Sequence, residues 1–305
     1  MRLDFSGDDL TFEVETTVTF GCREPGSSTF IEFGGSVMSG LLNDHALPDL
    51  EDGRLRLGRL EAHNTLTIQG RGSYSHDGSG INRFQDPVDG RIYLHSQFGE
   101  HSTFRGFPCF DQPDLKATFA FAVKVPESWE VVSNTPGTRD ANGVWTFPKS
   151  SVMSTYITAV VAGEYYSVRQ DHRGIPLGLY CRRSLAEYLD ADEIFEITRQ
   201  GLDFFERRFG YRYPFGKYDQ LYVPEFSSGA MENVACVTHN ERMIFRSKVT
   251  EADRMSRAET TLHEMAHMWF GDLVTPTWWD DMWLNESFAE YMGYLGVAKA
   301  TRFDT

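Results

Sequence analysis

The sequence predicts an α+β protein with more than one domain, in which a β-rich part precedes a part that carries helices. Residues 11–20 alternate between apolar and polar side chains, and similar short segments follow between Gly, Pro and Asn turns. Beyond residue 182, apolar side chains recur instead at steps of three and four. We therefore divide the 305-residue chain, which is long enough for two cores, into domains at 1–182 and 183–305.

The first domain is predicted to consist of short β-strands. Apolar side chains at every second position of residues 12–20 give the period of a half-buried strand. Residues 119–125 repeat this pattern, and residues 156–161 and 165–169 continue it. Many short strands separated by turn residues are typical of an antiparallel β-sandwich or of curved sheets.

The second domain is predicted to contain three helices with recognisable ends. Asp190 precedes a helical pattern of apolar residues that stops at Gly210. Thr250 and Asp253 have the spacing of a capping box at the start of a second helix. A third helix is expected to begin near Asp281 and to run toward the carboxy terminus.

Composition and charge exclude some classes of partner. The formal net charge of −15 argues against nucleic-acid binding, which needs clustered Lys and Arg. The sequence contains no apolar run of about eighteen or more residues, so we expect no transmembrane helix. Residues 1–9 lack the apolar core of a secretory signal. We therefore expect a cytoplasmic protein that binds no membrane, and we expect a monomer.

The spacing of the cysteines is consistent with a cytoplasmic location. Cys22, Cys109, Cys181 and Cys236 are widely spaced and form no metal-binding knuckle. We interpret them as reduced, mostly buried thiols of a cytoplasmic protein. The alternative is one or two disulfides, which a secreted protein would favour.

The most informative motif is His263-Glu264-Met265-Ala266-His267. Two histidines four apart lie on one face of a helix, about one turn or roughly 6 Å apart, which suits two imidazole ligands of one zinc ion. Glu264 stands between them, where it can act as a general base on water. Glu286 follows after eighteen further residues and supplies a third ligand. Two His and one Glu leave a zinc position open, as catalytic sites do.

A second motif lies upstream of these ligands. It consists of Gly229, Ala230, Met231, Glu232 and Asn233, written GAMEN. Taken alone, it is equally compatible with a glycine turn that carries a solvated glutamate, just as two histidines alone are compatible with an ordinary helix. The presence of both motifs in one chain favours a functional site.

These motifs and their spacing resemble the zinc aminopeptidases of the aminopeptidase N family, within the gluzincin group. Residues 107–119 and 278–286 are also similar to that family, and residues 176–181 are similar to its actinobacterial members. The resemblance covers nearly the whole chain. It implies a β-sandwich or saddle domain followed by the start of a thermolysin-like α/β zinc catalytic domain.

The resemblance also implies an activity, a zinc-dependent metalloaminopeptidase that binds one Zn²⁺ per chain and removes the amino-terminal residue of peptides. Glu232 would bind the free α-amino group of the substrate, and Glu286 would assist through its second oxygen. The backbone of Gly229 and Ala230 would hold the peptide extended, with Gln97 reaching the same amino group from the β domain. Neutral and basic residues, alanine or lysine above all, are the expected substrates.

Further residues near the motifs are candidates for indirect roles. Asp272 and Glu290 are placed to orient a ligand histidine, the alternative being that both are ordinary helix-surface acids. The sequence departs from the family pattern at Ala235, where a glycine often follows GAMEN, and at Gly99, where an acid is frequent. These departures affect the expected substrate preference rather than the reaction.

Two alternatives stay open. One is a relative with an added epoxide-hydrolase activity, which nothing in the sequence requires. The other is a zinc- and peptide-binding module without turnover, since the family stabilises the oxyanion with a tyrosine well downstream of the third ligand, whereas this chain ends nineteen residues after Glu286. We therefore expect an amino-terminal fragment of a longer enzyme, with a catalytic domain incomplete at its carboxy end.

Overall fold

The computed structural model describes residues 1–303, which form nineteen β-strands and three α-helices. The strands before residue 165 are β1 (Arg2–Asp4), β2 (Thr11–Gly21), β3 (Thr29–Glu32), β4 (Ser36–Leu42), β5 (His45–Ala46), β6 (Arg54–Leu57), β7 (His63–Ser73), β8 (Gly80–Gln85), β9 (Ile92–Gln97), β10 (Phe121–Lys124), β11 (Glu130–Ser133), β12 (Thr138–Arg139), β13 (Val144–Phe147) and β14 (Val160–Gly163). The later elements are β15 (Tyr166–His172), β16 (Ile175–Cys181), α1 (Ala191–Phe209), β17 (Tyr218–Val223), β18 (Ala230–Met231), β19 (Cys236–Asn240), α2 (Glu251–His267) and α3 (Met282–Ala300).

The first part of the chain is a β-sandwich, as predicted. An eight-stranded sheet in the order β12-β13-β10-β1-β2-β7-β4-β5 packs on a four-stranded sheet in the order β11-β14-β9-β8. Val14 and Val123 of the larger sheet share a buried core with Leu94 and Val160 of the smaller one. The larger sheet is not wholly antiparallel, because β1 lies parallel to β10.

A mixed five-stranded sheet in the order β15-β16-β17-β19-β18 forms the centre of the second part. On one face its side chains, among them Leu179 and Val237, pack on the helices through Phe205 and Leu262. On the other face, Leu221 and its neighbours pack on the four-stranded sheet of the β-sandwich. The parallel strands under a layer of helices confirm the predicted α+β architecture. None of the helices in residues 1–303 combines the length and the hydropathy of a membrane span.

The strand pairing bears on the domain boundary. Strands β15 and β16 precede residue 182 in the chain, yet β16 pairs with β17 of the second part. The division at residue 182 stays a prediction, and this pairing favours a boundary between β14 and β15. The last two residues of the predicted second domain lie outside the described residues. The predicted strand at residues 156–161 is wrong in its first half, because Thr155–Ile157 form a 3-10 helix.

The observed ends of α1 and the start of α2 agree with the sequence signals, although Asp190 has a different role from the predicted cap. Helix α1 follows Asp190 and stops at Gly210, whose φ of 64° suits a glycine. The Asp190 carboxylate does not cap the helix but accepts a hydrogen bond of 2.8 Å from Arg257. Thr250 and Asp253 form both bonds of the predicted capping box at the start of α2.

Candidate active site

The packing of two helices brings the predicted ligands together. Helix α2 carries His263 and His267, and α3 carries Glu286. The helices approach closely at Gly293, where an added Cβ would lie only 3.2 Å from the Cα atom of His263. Glu286 and Gly293 are seven residues apart, which is about two helical turns, so both lie on the face of α3 that is turned to α2.

The three side chains converge with donor atoms at ligand spacing. The Nε2 atoms of His263 and His267 are 3.0 Å apart, and a Glu286 carboxylate oxygen lies 3.4 Å from the first and 3.7 Å from the second. Two donors bound tetrahedrally at about 2.0–2.1 Å from one zinc ion would lie about 3.3 Å apart. Although burial opposes it, the two nearby histidines lower the pKa of Glu286. Two imidazole nitrogens and one carboxylate oxygen therefore fit a zinc ion.

Neighbouring groups fix both imidazoles in the orientation that a ligand needs. His263 Nδ1 lies 3.3 Å from a Glu290 carboxylate oxygen. His267 Nδ1 donates to the Phe270 carbonyl at 3.0 Å and to Asn285 Oδ1 at 2.9 Å. When Nδ1 carries the proton, the lone pair of Nε2 is free for a metal.

These contacts show that only one of the two acids predicted to orient a ligand histidine does so. Glu290 does contact a ligand histidine, whereas the Asp272 carboxylate has no hydrogen-bond partner among residues 1–303. The structure gives the second orienting role to Asn285 instead. The sequence held one signal for it, because Asn285 directly precedes the third ligand.

Glu264 lies beside the ligands in a strongly desolvated position. Its side chain is 5% exposed, and one of its carboxylate oxygens has no hydrogen-bond partner in the described part of the chain. Carboxylate oxygens of Glu264 and Glu232 and a ring nitrogen of His267 lie within 4.8 Å of one another. Burial raises the pKa of Glu264 to about 8, while the nearby histidines oppose the shift. A cation at the ligand nitrogens would stabilise these buried carboxylates.

The GAMEN segment forms an edge of the same site. Ala230 and Met231 form β18, the edge strand beside β19, and with Gly229 and Glu232 they line the cavity. Asn233 is fully buried, is not among the residues that line the cavity, and donates a hydrogen bond of 3.1 Å to Thr238. The structure thus places Asn233 where it stabilises the turn after β18.

A residue of the β-sandwich binds the residue that directly follows this segment. The Asn134 side chain donates to the Val234 carbonyl at 2.8 Å and accepts from the Ala159 backbone amide at 2.9 Å. Sequence reasoning missed Asn134, because nothing local connects it to a residue one hundred positions away.

Gln97 comes from the β-sandwich and reaches the site, as the resemblance implied. It ends strand β9, is 8% exposed, and lines the same cavity as the ligands. Its Oε1 atom has no hydrogen-bond partner within residues 1–303. The cavity has a volume of about 450 Å³ and is lined by five glutamates, with no lysine or arginine among the described lining residues. Its charge therefore favours a cation.

Two histidines and a glutamate at metal-ligand spacing, beside a buried carboxylate in an open cavity, are the arrangement found in metal-dependent hydrolases. Comparison with known proteins gives the family. Residues 53–157 match the Peptidase M1 N-terminal domain, and residues 193–304 match the Peptidase family M1 domain. The chain belongs to peptidase family M1.

Several curated relatives are peptidases of this kind. The chain is 50% identical to aminopeptidase N of Streptomyces lividans over 300 residues. This aligned region covers 95% of this chain and 35% of the relative. It is 37% identical over 209 residues to the glutamyl aminopeptidase of Bos taurus, covering 65% of this chain and 21% of that protein. Aminopeptidase N of Lactococcus lactis subsp. cremoris is 36% identical over 210 residues, covering 67% of this chain and 25% of the relative.

The chain thus spans about a third or less of the length of these relatives. The names of the relatives confirm the predicted family. They give no support to the alternative with an added epoxide-hydrolase activity.

Proposed function

We propose that this chain carries the zinc site of an aminopeptidase, which hydrolyses the first peptide bond of substrates with a free amino terminus. One observation supports this above all others. The converging donors of His263, His267 and Glu286 share one cavity with two buried carboxylates, Glu264 and Glu232. The ligands alone would serve any metal hydrolase, whereas the second buried carboxylate supplies a partner for a substrate cation.

His263, His267 and Glu286 would hold the zinc ion. A zinc ion at such a site lowers the pKa of water and polarises a carbonyl group. Glu264 would take the proton from the attacking water on its unpartnered carboxylate oxygen and pass it to the leaving amine. Its burial keeps bulk water away from this oxygen, so that the proton stays within the site.

Glu232 would make the enzyme an exopeptidase. The α-ammonium group of a peptide is only two bonds away from the carbonyl carbon of the same residue. A carboxylate that binds this ammonium close to Glu264 therefore brings the first peptide bond, and no later one, to the base. Gln97, which lines the same cavity, would accept a further hydrogen bond from the ammonium through its Oε1 atom.

Hydrolysis of alanine 4-nitroanilide by the intact protein tests this proposal. We expect cleavage of the free amine and little cleavage of its N-acetyl form, which has no ammonium group for Glu232. Glu264→Gln keeps the shape of the side chain and removes the base, so turnover should fall by about 10²–10⁴-fold while bound zinc stays. Equal cleavage of acetylated and free substrate would refute the exopeptidase assignment, and an active Glu264→Gln variant would refute the base.

We further propose a cytoplasmic, monomeric enzyme with a preference for alanine or lysine at the cleaved position. The location is supported by the thiols of Cys22, Cys109, Cys181 and Cys236, all of which are free. The preference for lysine is supported by the excess of carboxylates in the cavity.

A further inference from the structure

We infer that Glu259 and Glu290 form an acidic subsite for the side chain of the second substrate residue, the one that follows the cleaved bond, and that this subsite selects lysine or arginine. The inference rests on the proposed function, because the direction of the bound peptide follows from the binding of its amino terminus to Glu232. It concerns substrate residues on the far side of the scissile bond, which the ligands and Glu264 do not distinguish.

The position of the pair along α2 sets this direction. Glu259 lies one helical turn before His263 and two turns before His267, which corresponds to about 6 and 12 Å along the helix axis. Glu232 lies at the His267 end, where its carboxylate is within 4.8 Å of donor atoms of His267 and Glu264. A peptide with its amino group at Glu232 and its first peptide bond at Glu264 therefore runs on toward Glu259.

The two acids are close enough to share one cation. One side-chain donor atom from each of Glu259, His263 and Glu290 lies within 4.8 Å of the others. Glu290 is bound to His263 on one side and is 53% exposed, so the subsite is open at its outer end to a long side chain. Glu259 makes no ion pair in the described part of the chain, and both acids line the cavity that contains the ligands.

A separate observation shows that this cavity is built for a ligand. Glu264 and Gln97 are both more than nine-tenths buried, both line the cavity, and each has one oxygen without a hydrogen-bond partner among residues 1–303. Buried polar groups of this kind normally meet a partner. The acid pair is thus the outer end of a ligand cavity and not an isolated patch of surface charge.

The chemistry of the pair favours a basic side chain over every other class. A lysine ammonium or an arginine guanidinium can donate to both carboxylates, and such charge-assisted hydrogen bonds are stronger than neutral ones. An acidic side chain would meet two like charges, and a neutral one would leave the pair unmatched. Since the subsite is half open to water, which weakens hydrogen bonds to charged groups, we expect a preference of about tenfold.

Binding and hydrolysis of alanyl-lysine amide and alanyl-glutamine amide test the subsite separately from the reaction. In the intact zinc-loaded protein, kcat/KM for the lysine peptide should exceed that for the glutamine peptide by about tenfold. Glu259→Gln should abolish this difference and leave the glutamine peptide nearly unaffected. Glu187→Gln, a change of the same kind at an exposed glutamate outside the cavity, should leave the preference unchanged.

Calorimetric binding of both peptides to the Glu264→Gln variant, with and without Glu259→Gln, completes the test. A lysine preference in binding that disappears with Glu259→Gln supports the subsite even if no peptide is hydrolysed, in which case the peptidase proposal fails alone. Equal binding of the two peptides, or a lysine preference that survives Glu259→Gln, overturns the subsite whatever the rate of hydrolysis.

Discussion

Replacing Gly293 by Ala should weaken zinc binding although residue 293 is not a ligand. The new Cβ would lie 3.2 Å from the backbone nitrogen and Cα of His263 and 3.3 Å from the Glu259 carbonyl oxygen. These are backbone atoms of a packed helix, so they cannot rotate away as a side chain can. We expect the two helices to separate by a few tenths of an ångström, which carries Glu286 away from the Nε2 atoms.

The size of this effect follows from opposing contributions. Alanine stabilises the interior of a helix by about 1 kcal/mol relative to glycine, and overpacking in a close contact destabilises by about 1–3 kcal/mol. The net loss of folding stability should therefore be small, at most about 2 kcal/mol. The metal site is more sensitive, because ligand geometry tolerates little displacement. By analogy with changes in the groups that orient metal ligands, we expect zinc affinity to fall by about tenfold or more.

A matched control lies one turn further along the same helix. At Gly296 an added Cβ would meet the Cδ1 atom of Leu262 at 3.0 Å, and this atom is the end of a flexible side chain. Zinc affinity, measured by competition with a chelator, should therefore fall for Gly293→Ala and stay close to the parent value for Gly296→Ala. Equal affinities for the parent and Gly293→Ala would refute the view that this helix contact positions Glu286.

Three further predictions concern other parts of the site and the fold. Glu232→Ala should raise KM for peptides with a free amino terminus and leave zinc content unchanged; loss of zinc instead would contradict its role as an amino anchor. Ala235 has a φ of 57°, so relief of strain should make Ala235→Gly nearly neutral in urea unfolding, whereas Ala162→Gly, in a strand, should destabilise by about 0.5–1 kcal/mol; equal losses would count against strain at Ala235. Burial lowers the pKa of His239 to about 3, below its unfolded value of about 6.5, so the contribution of His239 to stability should fall as pH drops from 6.5 to 3, by about 2 kcal/mol at pH 5. This loss should be absent in His239→Phe, and parallel pH profiles of parent and variant would contradict it.

Local signals predicted much of the fold and of the site. The capping box of Thr250 and Asp253 could be predicted from the sequence because all its atoms lie within four residues. The ligand pair His263 and His267 could be predicted because helix geometry alone places the two side chains on one face. Spacing also led to Glu286, since eighteen residues allow a second helix to return to the first.

Features that depend on contacts between distant segments could not be predicted in this way. The closeness of the helices at Gly293 and the hydrogen bond from Asn134 to Val234, directly after the GAMEN segment, arise only once the sheets and helices have packed. Residues 156–161 alternate like a strand, but the buried Tyr156 lies in a 3-10 helix at the junction of the two parts. The assignment of β15 and β16 to the second sheet likewise depends on pairing with β17, which is far away in the sequence.

The zinc content of the intact protein is the most direct test of the site. Mass spectrometry of the purified, folded protein should find about one zinc ion per chain, because the structure brings together one set of two histidine nitrogens and one carboxylate oxygen at zinc-ligand spacing. His263→Ala should lose this zinc and its peptidase activity together, while retaining the circular dichroism of the parent. A folded parent protein that hydrolyses alanine 4-nitroanilide without bound metal, or a His263→Ala variant that keeps its zinc, would contradict the assignment.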